Sequence, residues 1–467
     1  MRGTIDLNER IEALGVGRLA LFTVGLCFAM MLADGFDFTA LAVAAPAILR
    51  EWGLEPRAMG GVFSITFVGL LLGSLLYGWM GDAWGRRPTI IIGTFNFAIP
   101  VLLTGFATSV WQLSVLRLVG GIGIGGVVPI AYTLVSEYAP RRSRSTVTVV
   151  TNMGYSLGGV LTGMLGASLI PAQGWRSMFL LGGAFSLLMG FVLLVWLPES
   201  VLFLAARRPG SPRLLPLVRR LLCGTVVAPD APIVAREDRR GAASPGPASG
   251  GSVLELFRGV RGAVTPLLWL LFVADSLGFF FLASWLPVLM EAAGVSRAAA
   301  SLSQSVFTFA GLCGGLLMMR LIDRFGPTAM VALPVIGAPV EILMGTPGLP
   351  EPALLACVTV AGLCLQGIHY SVYAVVVRFY PPSVRGRGVS FATVWGRAGG
   401  IVAPYIGGAL LSQHLPLQQL MIFAALPCVV TALAGFTLGR LHQRHFRDTG
   451  SAGLPVDLAA PPEEQHA

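Results

Sequence analysis

Twelve apolar stretches, each about as long as a bilayer-crossing helix, constrain this chain more tightly than any other feature. They fall near 18–46, 58–80, 89–106, 112–137, 146–170 and 176–197, and, beyond a polar break, near 264–290, 298–320, 328–345, 353–377, 389–411 and 417–439. A helix crosses the hydrocarbon core with about 20 apolar residues, and only helices or closed barrels satisfy their backbone groups there. Of the 467 residues, 55% are hydrophobic and 12% charged, with a mean hydropathy of +0.76. Such a composition excludes a soluble domain.

The stretches form two sets of six. Displaced by 241 positions, Ala33, Asp34, Phe38, Leu41, Ala42 and Pro46 fall on Ala274, Asp275, Phe279, Leu282, Ala283 and Pro287, and Asp82 and Gly85 fall on Asp323 and Gly326. Displaced by 242, Tyr138, Pro140 and Gly154 fall on Tyr380, Pro382 and Gly396. An offset kept along the whole chain marks an internal duplication. Two halves that start from the same side form a parallel repeat about an axis normal to the membrane, with a cavity between them. The expected fold is an all-α membrane protein of 12 transmembrane helices in two six-helix bundles, 1–198 and 264–440. A cytoplasmic central loop, 199–263, joins them, with interfacial helices expected around 214–222 and 253–260, and a polar tail, 441–467, follows.

The net charge of +9 and pI near 9.7 do not point to nucleic acid, because the basic residues sit in short loops between spans. All 32 are Arg. Arg86, Arg87, Arg141, Arg142, Arg144, Arg324, Arg385 and Arg387 lie on the side that holds both termini and the central loop, against Arg50, Arg57, Arg176 and Arg297 on the other. The positive-inside rule makes the first side cytoplasmic. The N-terminal span is too long for a cleavable signal peptide. The six Cys have no metal or disulfide spacing, and no metal or cofactor is expected.

The chemistry centres on Ala33-Asp34-Gly35-Phe36-Asp37 in the middle of the first span. Carboxylates at i and i+3 share a helix face, and at membrane depth each costs at least ~2.5 kcal/mol on insertion scales. Asp34 and Asp37 are therefore candidate proton carriers, with a structural pair that bonds neighbouring helices as the alternative. Gly35 lets another backbone come close. Asp275, the copy of Asp34, is a second proton site or a lock between the halves. Arg397, within the eleventh span, can grip a carboxylate in two hydrogen bonds or serve as counter-ion to Asp34 or Asp275. Tyr155, its counterpart in the repeat, is expected on the same cavity. His369 and Tyr373, at i and i+4 on the tenth span, are candidate substrate contacts or structure, and Phe38 and Gln366 are further candidate contacts. Arg117 can pair with Asp37. At the cytoplasmic side, Asp82 can cap the eleventh span and Arg86 can reach Glu137, a clamp that Asp323 and Arg385 would repeat less strongly. The Gly-rich run at 120–126 serves close helix contact.

The turn Gly78-Trp79-Met80-Gly81-Asp82-Ala83-Trp84-Gly85-Arg86-Arg87, with its weaker copy Asp323-Arg324-Phe325-Gly326, resembles the signature loop of the major facilitator superfamily. Within it, the chain is most similar to the aromatic acid:H+ symporters of bacteria. That similarity rests on Asp34-Gly35-Phe36-Asp37 with Pro46, and on Arg117 with the glycine run and Ser136-Glu137-Tyr138-Ala139-Pro140. It extends to Gly174-Trp175-Arg176, Leu197-Pro198-Glu199-Ser200, Ser284-Trp285-Leu286-Pro287, Tyr380-Pro381 with Arg385, and Gly396-Arg397. The resemblance covers nearly all spans and implies binding or gating roles for Asp34, Asp37, Gly78, Asp82, Arg117, Glu137, Asp323, Arg385 and Arg397, with Gly85 and Arg86 in the same signature turn. The chain departs from the family at Asp275, where an amide is usual, and at His369 and Tyr373, where Gln and Asn are usual.

The resemblance implies a proton-coupled importer of a small aromatic or related organic acid in a bacterial inner membrane, both termini cytoplasmic. Its partners are a small carboxylate substrate, H+ and the lipid bilayer, with no nucleic acid, and it is expected to work as a monomer. An H+-driven exporter of organic acids or drugs also needs buried acids. A non-transporting sensor of aromatic acids would need a signalling domain that the central loop is too short to hold. An enzyme is not expected, since no nucleophile–base pair or metal cluster is present.

Overall fold

The computed structural model describes residues 5–222, 233–234 and 253–445. Two-residue strands β1 (Ile5–Asp6) and β2 (Ile233–Val234) pair in parallel, and all other regular structure among the described residues is helical. Helix α1 (Leu7–Leu14) precedes six long helices: α2 (Arg18–Trp52), α3 (Pro56–Ala83), α4 (Arg86–Thr104), α5 (Val110–Glu137), α6 (Arg144–Gln173) and α7 (Arg176–Trp196). Short helices α8 (Val201–Arg207) and α9 (Leu214–Leu221) open the central segment. Then come α10 (Arg261–Ala292), α11 (Arg297–Phe325), α12 (Ala332–Met344), α13 (Glu351–Val376), α14 (Pro382–Leu411) and α15 (Leu417–His445), with a 3-10 stretch, Gly326–Val331, between α11 and α12.

Each expected span overlaps one of these helices. Among the described residues, ten segments are long and apolar enough to cross a membrane; one of them, Arg297–Met344, holds both the eighth and ninth expected spans. The eleventh, α14, is 30 residues long but is not among the ten; it carries Arg385, Arg387 and Arg397. Of the two interfacial helices expected in the central loop, α9 forms, whereas Val253–Phe257 is a 3-10 turn. Most of the tail lies outside the described residues.

Several boundaries differ from expectation: α14 begins at Pro382 rather than near 389, and α15 runs on to His445. The first span does not close at Pro46: α2 continues to Trp52 and ends at Gly53, whose φ of 60° allows the left-handed cap. Pro287, the repeat copy, likewise lies inside α10. Within a membrane bundle the neighbouring helices compensate the bond a proline cannot make.

The chain divides into two compact units, one holding Met1–Leu54 and Gly61–Ala242, the other Glu55–Gly60 and Ala243–Ala467. Packing inside them repeats. In the first, α2 packs on α6 and α7, and α4 on α5 and α7; in the second, α10 packs on α14 and α15, and α12 on α13 and α15. The duplication read from the sequence is thus present as equivalent helix pairs. Glycine is what allows the close approaches. In α3 and α5, a Cβ at Gly73 would run into the backbone of Ile122, and one at Gly125 into that of Leu70. In α11 and α13 the same holds for Gly314 against Leu363 and Gly362 against Phe307.

Candidate functional site

In the first unit, α2 is drawn onto α6 by small residues. A Cβ at Gly35 would collide with the Tyr155 carbonyl, and one at Gly158 with that of Leu32. The Thr162 hydroxyl donates to the Phe36 carbonyl at 3.0 Å and accepts from Thr39 at 2.8 Å. This close contact buries the acidic motif. Asp34 is 3% exposed and Asp37 2%, yet their surroundings differ. Arg117 of α5 donates through Nη1 to Asp37 Oδ1 at 2.9 Å and Oδ2 at 3.2 Å, and through Nη2 to Thr104 at 2.9 Å. Its guanidinium also lies over the Phe179 ring, 5.1 Å from the centroid. The Arg117–Asp37 pairing expected from the sequence is therefore present. Neither oxygen of Asp34 has a hydrogen-bond partner among the described residues. One acid of the pair has a dedicated cation and the other does not.

Around this motif, Phe38 meets Phe67 edge-on at 5.7 Å and the Tyr155 ring at 5.9 Å, so Tyr155 and Phe38 come together as one aromatic group. The Tyr132 hydroxyl of α5 donates to Asn152 Oδ1 at 2.6 Å. Asn152 lies three residues before Tyr155, and sequence reasoning passed over it. The signal was available, since it is an amide inside an otherwise apolar helix.

At the end of the unit that carries the signature turn, Arg86 Nη2 donates to Glu137 Oε1 at 3.0 Å and Nη1 to the Gly81 carbonyl at 3.1 Å, with Asp82 3.8 Å away. Glu199, unassigned from the sequence, organises the turn: its Oε1 accepts from the backbone N–H of Arg86 at 2.9 Å and of Arg87 at 3.1 Å. A carboxylate there meets the unsatisfied donors and positive dipole end of α4. Gly85 adopts φ 110°, a region that L side chains avoid, and a Cβ would strike the Glu199 carboxylate. Gly78, by contrast, has open space around its Cβ position, so packing does not demand glycine there. The Tyr138 hydroxyl donates to the Glu199 carbonyl at 2.5 Å; burial, then the nearby Glu199 and Glu137, push its pKa well above the usual phenol value, so it remains a donor.

In the second unit, His369 Nδ1 lies 2.7 Å from Asp275 Oδ2. The imidazole stacks on Phe279, with centroids 4.3 Å apart at 17°, and meets Phe280 edge-on at 5.2 Å. His369 is thus first a partner of Asp275, and its 20% exposed side chain leaves an edge open. Tyr373, 42% exposed, packs edge-on against Phe272 at 5.2 Å and lies within electrostatic reach of Arg397. Arg397 stands at the middle of α14 and is half-buried. Gln366 is 3% exposed, lies over Gly311 of α11, and donates to the Tyr370 hydroxyl at 2.7 Å, while its Oε1 has no partner among the described residues.

The copy of the clamp also differs from expectation. Asp323 pairs with Arg378 at 3.1 Å rather than with Arg385, whose Nε donates to the Tyr380 carbonyl at 3.1 Å. Arg378 also reaches the Ile322 carbonyl at 3.0 Å. In the first unit the arginine comes from the turn and the acid from the helix end; in the second these positions are exchanged. Sequence reasoning missed the exchange because Pro327 stands where the displaced copy of Arg86 would fall. Among the described residues no three His, Cys, Asp or Glu side chains could hold a metal. A cavity of about 340 Å³ between α10, α14 and α15 is lined by apolar side chains such as Leu270, Leu277, Ile406 and Phe423, and by none of the candidate residues.

Two duplicated helical units with buried acids and an arginine at mid-span define a polytopic membrane transporter. Residues 26–254 and 268–459 match the family model of the Major Facilitator Superfamily. The chain is 33% identical over 431 residues to a 4-hydroxybenzoate transporter of Pseudomonas aeruginosa, covering 92% of this chain and 95% of that one. It is 32% identical over 446 residues to a gallate transporter of Pseudomonas putida, covering 94% and 96%. It is 27% identical over 451 residues to a benzoate transport protein of Acinetobacter baylyi, covering 95% of each. Among solved structures it is similar to a bacterial homologue of the human lysosomal transporter Spinster, with a TM-score of 0.70, 18% identity and coverage of 92% and 99%. A D-xylose–proton symporter follows at 0.65, 15%, and 90% and 97%. These structures speak for the fold alone. The chain belongs to the major facilitator superfamily, in the branch whose curated members are aromatic acid transporters, and is not an enzyme.

Proposed function

We propose that the protein imports a small aromatic carboxylate together with protons by alternating access, across a bacterial inner membrane and with both termini cytoplasmic. The observation that carries this reading is the contrast at Asp34 and Asp37. Asp37 is neutralised by Arg117, whereas Asp34 is equally buried and its oxygens have no hydrogen-bond partner among the described residues. An uncompensated carboxylate in such surroundings is stable when it holds a proton. Asp34 is therefore the primary proton site, and Asp37 holds α2 on α5.

The energetics require a coupling ion. An anion entering against an inside-negative potential is opposed by about 2.3 kcal/mol per charge per 100 mV. One proton moved with it cancels the charge, and the pH gradient or a second proton then drives accumulation. The Asp275–His369 pair is the candidate second site. Arg397, a permanent forked cation, takes the substrate carboxylate, with Tyr373 of the same unit within its electrostatic reach; in the first unit, Tyr155 and Phe38 are the candidate aromatic contacts. That the substrate is an aromatic acid is supported by the relatives named above. The Arg86–Glu137 and Arg378–Asp323 pairs each lie within one unit and hold the helix ends of the signature turn and its copy, the elements assigned to gating.

Uptake of a labelled panel of benzoate, hydroxybenzoates, gallate, gentisate and a neutral sugar tests this reading, with a protonophore and Asp34→Asn as controls. Accumulation of at least one acid, lost with either control, is expected. Accumulation that rises when the gradient collapses would make the protein an exporter, and binding without movement would make it a sensor.

A further inference from the structure

One buried acid has no part in the mechanism above. Glu341, on α12, is 1% exposed. Its Oε1 accepts from the Cys428 thiol of α15 at 3.4 Å, and its Oε2 has no partner among the described residues. Helix α12 is packed by α13, α15 and the 3-10 stretch Gly326–Val331. From α13 the facing titratable group is Cys364, from α15 it is Cys428, and the 3-10 stretch carries none. None of these is a cation. Gly337, one turn before Glu341, fills the rest of the space: a Cβ there would stand 3.1 Å from Cys364 Cβ and 3.9 Å from both sulfurs. A carboxylate with a single weak thiol donor and no cation cannot remain ionised in an apolar bundle.

Cys428 lies within electrostatic reach of both Glu341 and Asp275. Gly278, one turn after Asp275 on α10, brings that helix against Pro427, the neighbour of Cys428, with 3.3 Å from its Cβ position to the proline ring. Two acids, Asp275 and Glu341, therefore flank the same turn of α15, and Asp275 is bonded to His369. We propose that Glu341 is a proton-binding carboxyl of the second unit, coupled through Cys428 to the Asp275–His369 pair. Its charge state biases that pair: an ionised Glu341 holds the proton on the pair more tightly, and a protonated one loosens it. This rests on the reading of the protein as a proton-coupled transporter.

Two measurements on the full-length protein test it. Dicyclohexylcarbodiimide modifies protonated carboxyls in apolar surroundings; peptide mass spectrometry of the labelled wild type, in liposomes, should show the adduct on Glu341, falling several-fold as pH rises. This readout does not depend on transport. Glu341→Gln, which keeps the shape but fixes the neutral form, should then move the pH profile of uptake toward acid by half a unit or more. No adduct at any pH, or an adduct with an unmoved profile, would overturn the proposal. A wild type whose uptake ignores the protonophore would instead overturn the proton-coupled reading, whatever the labelling shows.

Discussion

Two aspartates one helical turn apart have opposite fates because one arginine reaches only one of them. Asp37 shares a buried salt bridge with Arg117, and removing one partner of such a pair leaves the other charge uncompensated, at a cost of about 3–5 kcal/mol. Asp37→Asn should therefore lower the thermal unfolding midpoint of the detergent-solubilised protein sharply, and adding Arg117→Met should recover part of the loss; equal stability of single and double variants would contradict the pairing. Asp34→Asn removes no such bond. It should leave the midpoint within the error of the wild type, abolish uphill accumulation and retain substrate exchange. Arg397→Lys keeps the charge but loses the planar fork, so KM should rise tenfold or more with a smaller change in kcat, measured as initial uptake rates. A KM equal to that of the wild type would remove Arg397 from the substrate site.

Helix packing explains which parts of this site were readable beforehand. The Asp37–Arg117 pair, the role of Gly35 and the Arg86–Glu137 contact follow from residue type and depth along a span, and all are present. What escaped depends on rotation of one helix against another. Gln366 lies over Gly311, Asp323 finds Arg378 before Arg385, and Glu341 meets Cys428 from a helix that carries no motif. Pro46 stays inside α2 because neighbouring helices of a membrane bundle compensate the bond it cannot make, where in a water-soluble helix it would end the element. The same packing gives a sharp contrast between glycines of α2. Gly35→Val would drive a side chain into the Tyr155 carbonyl, whereas a Cβ at Gly25 meets nothing within 4 Å. Gly35→Val should prevent recovery of folded protein on size-exclusion chromatography, and Gly25→Ala should leave it unchanged. Normal recovery of both would mean that α2 and α6 do not approach as closely as described.

Across the whole chain, the duplication is the most informative level: helix pairs of the first unit recur in the second although few side chains match. The chemistry has been divided between the copies. The first unit keeps an acid with an arginine and an acid without one; the second pairs Asp275 with a histidine, buries Glu341 against Cys428, and holds the mid-span Arg397. That division is what proton-coupled uptake of an anion requires, since the proton and the carboxylate need separate sites that respond to each other. The most direct measurement is substrate-driven proton movement in proteoliposomes containing a pH-sensitive dye, with no imposed gradient. Addition of an accumulated aromatic acid outside should acidify the lumen in the wild type and not with Asp34→Asn. Entry of labelled substrate with no acidification in the wild type would contradict proton coupling.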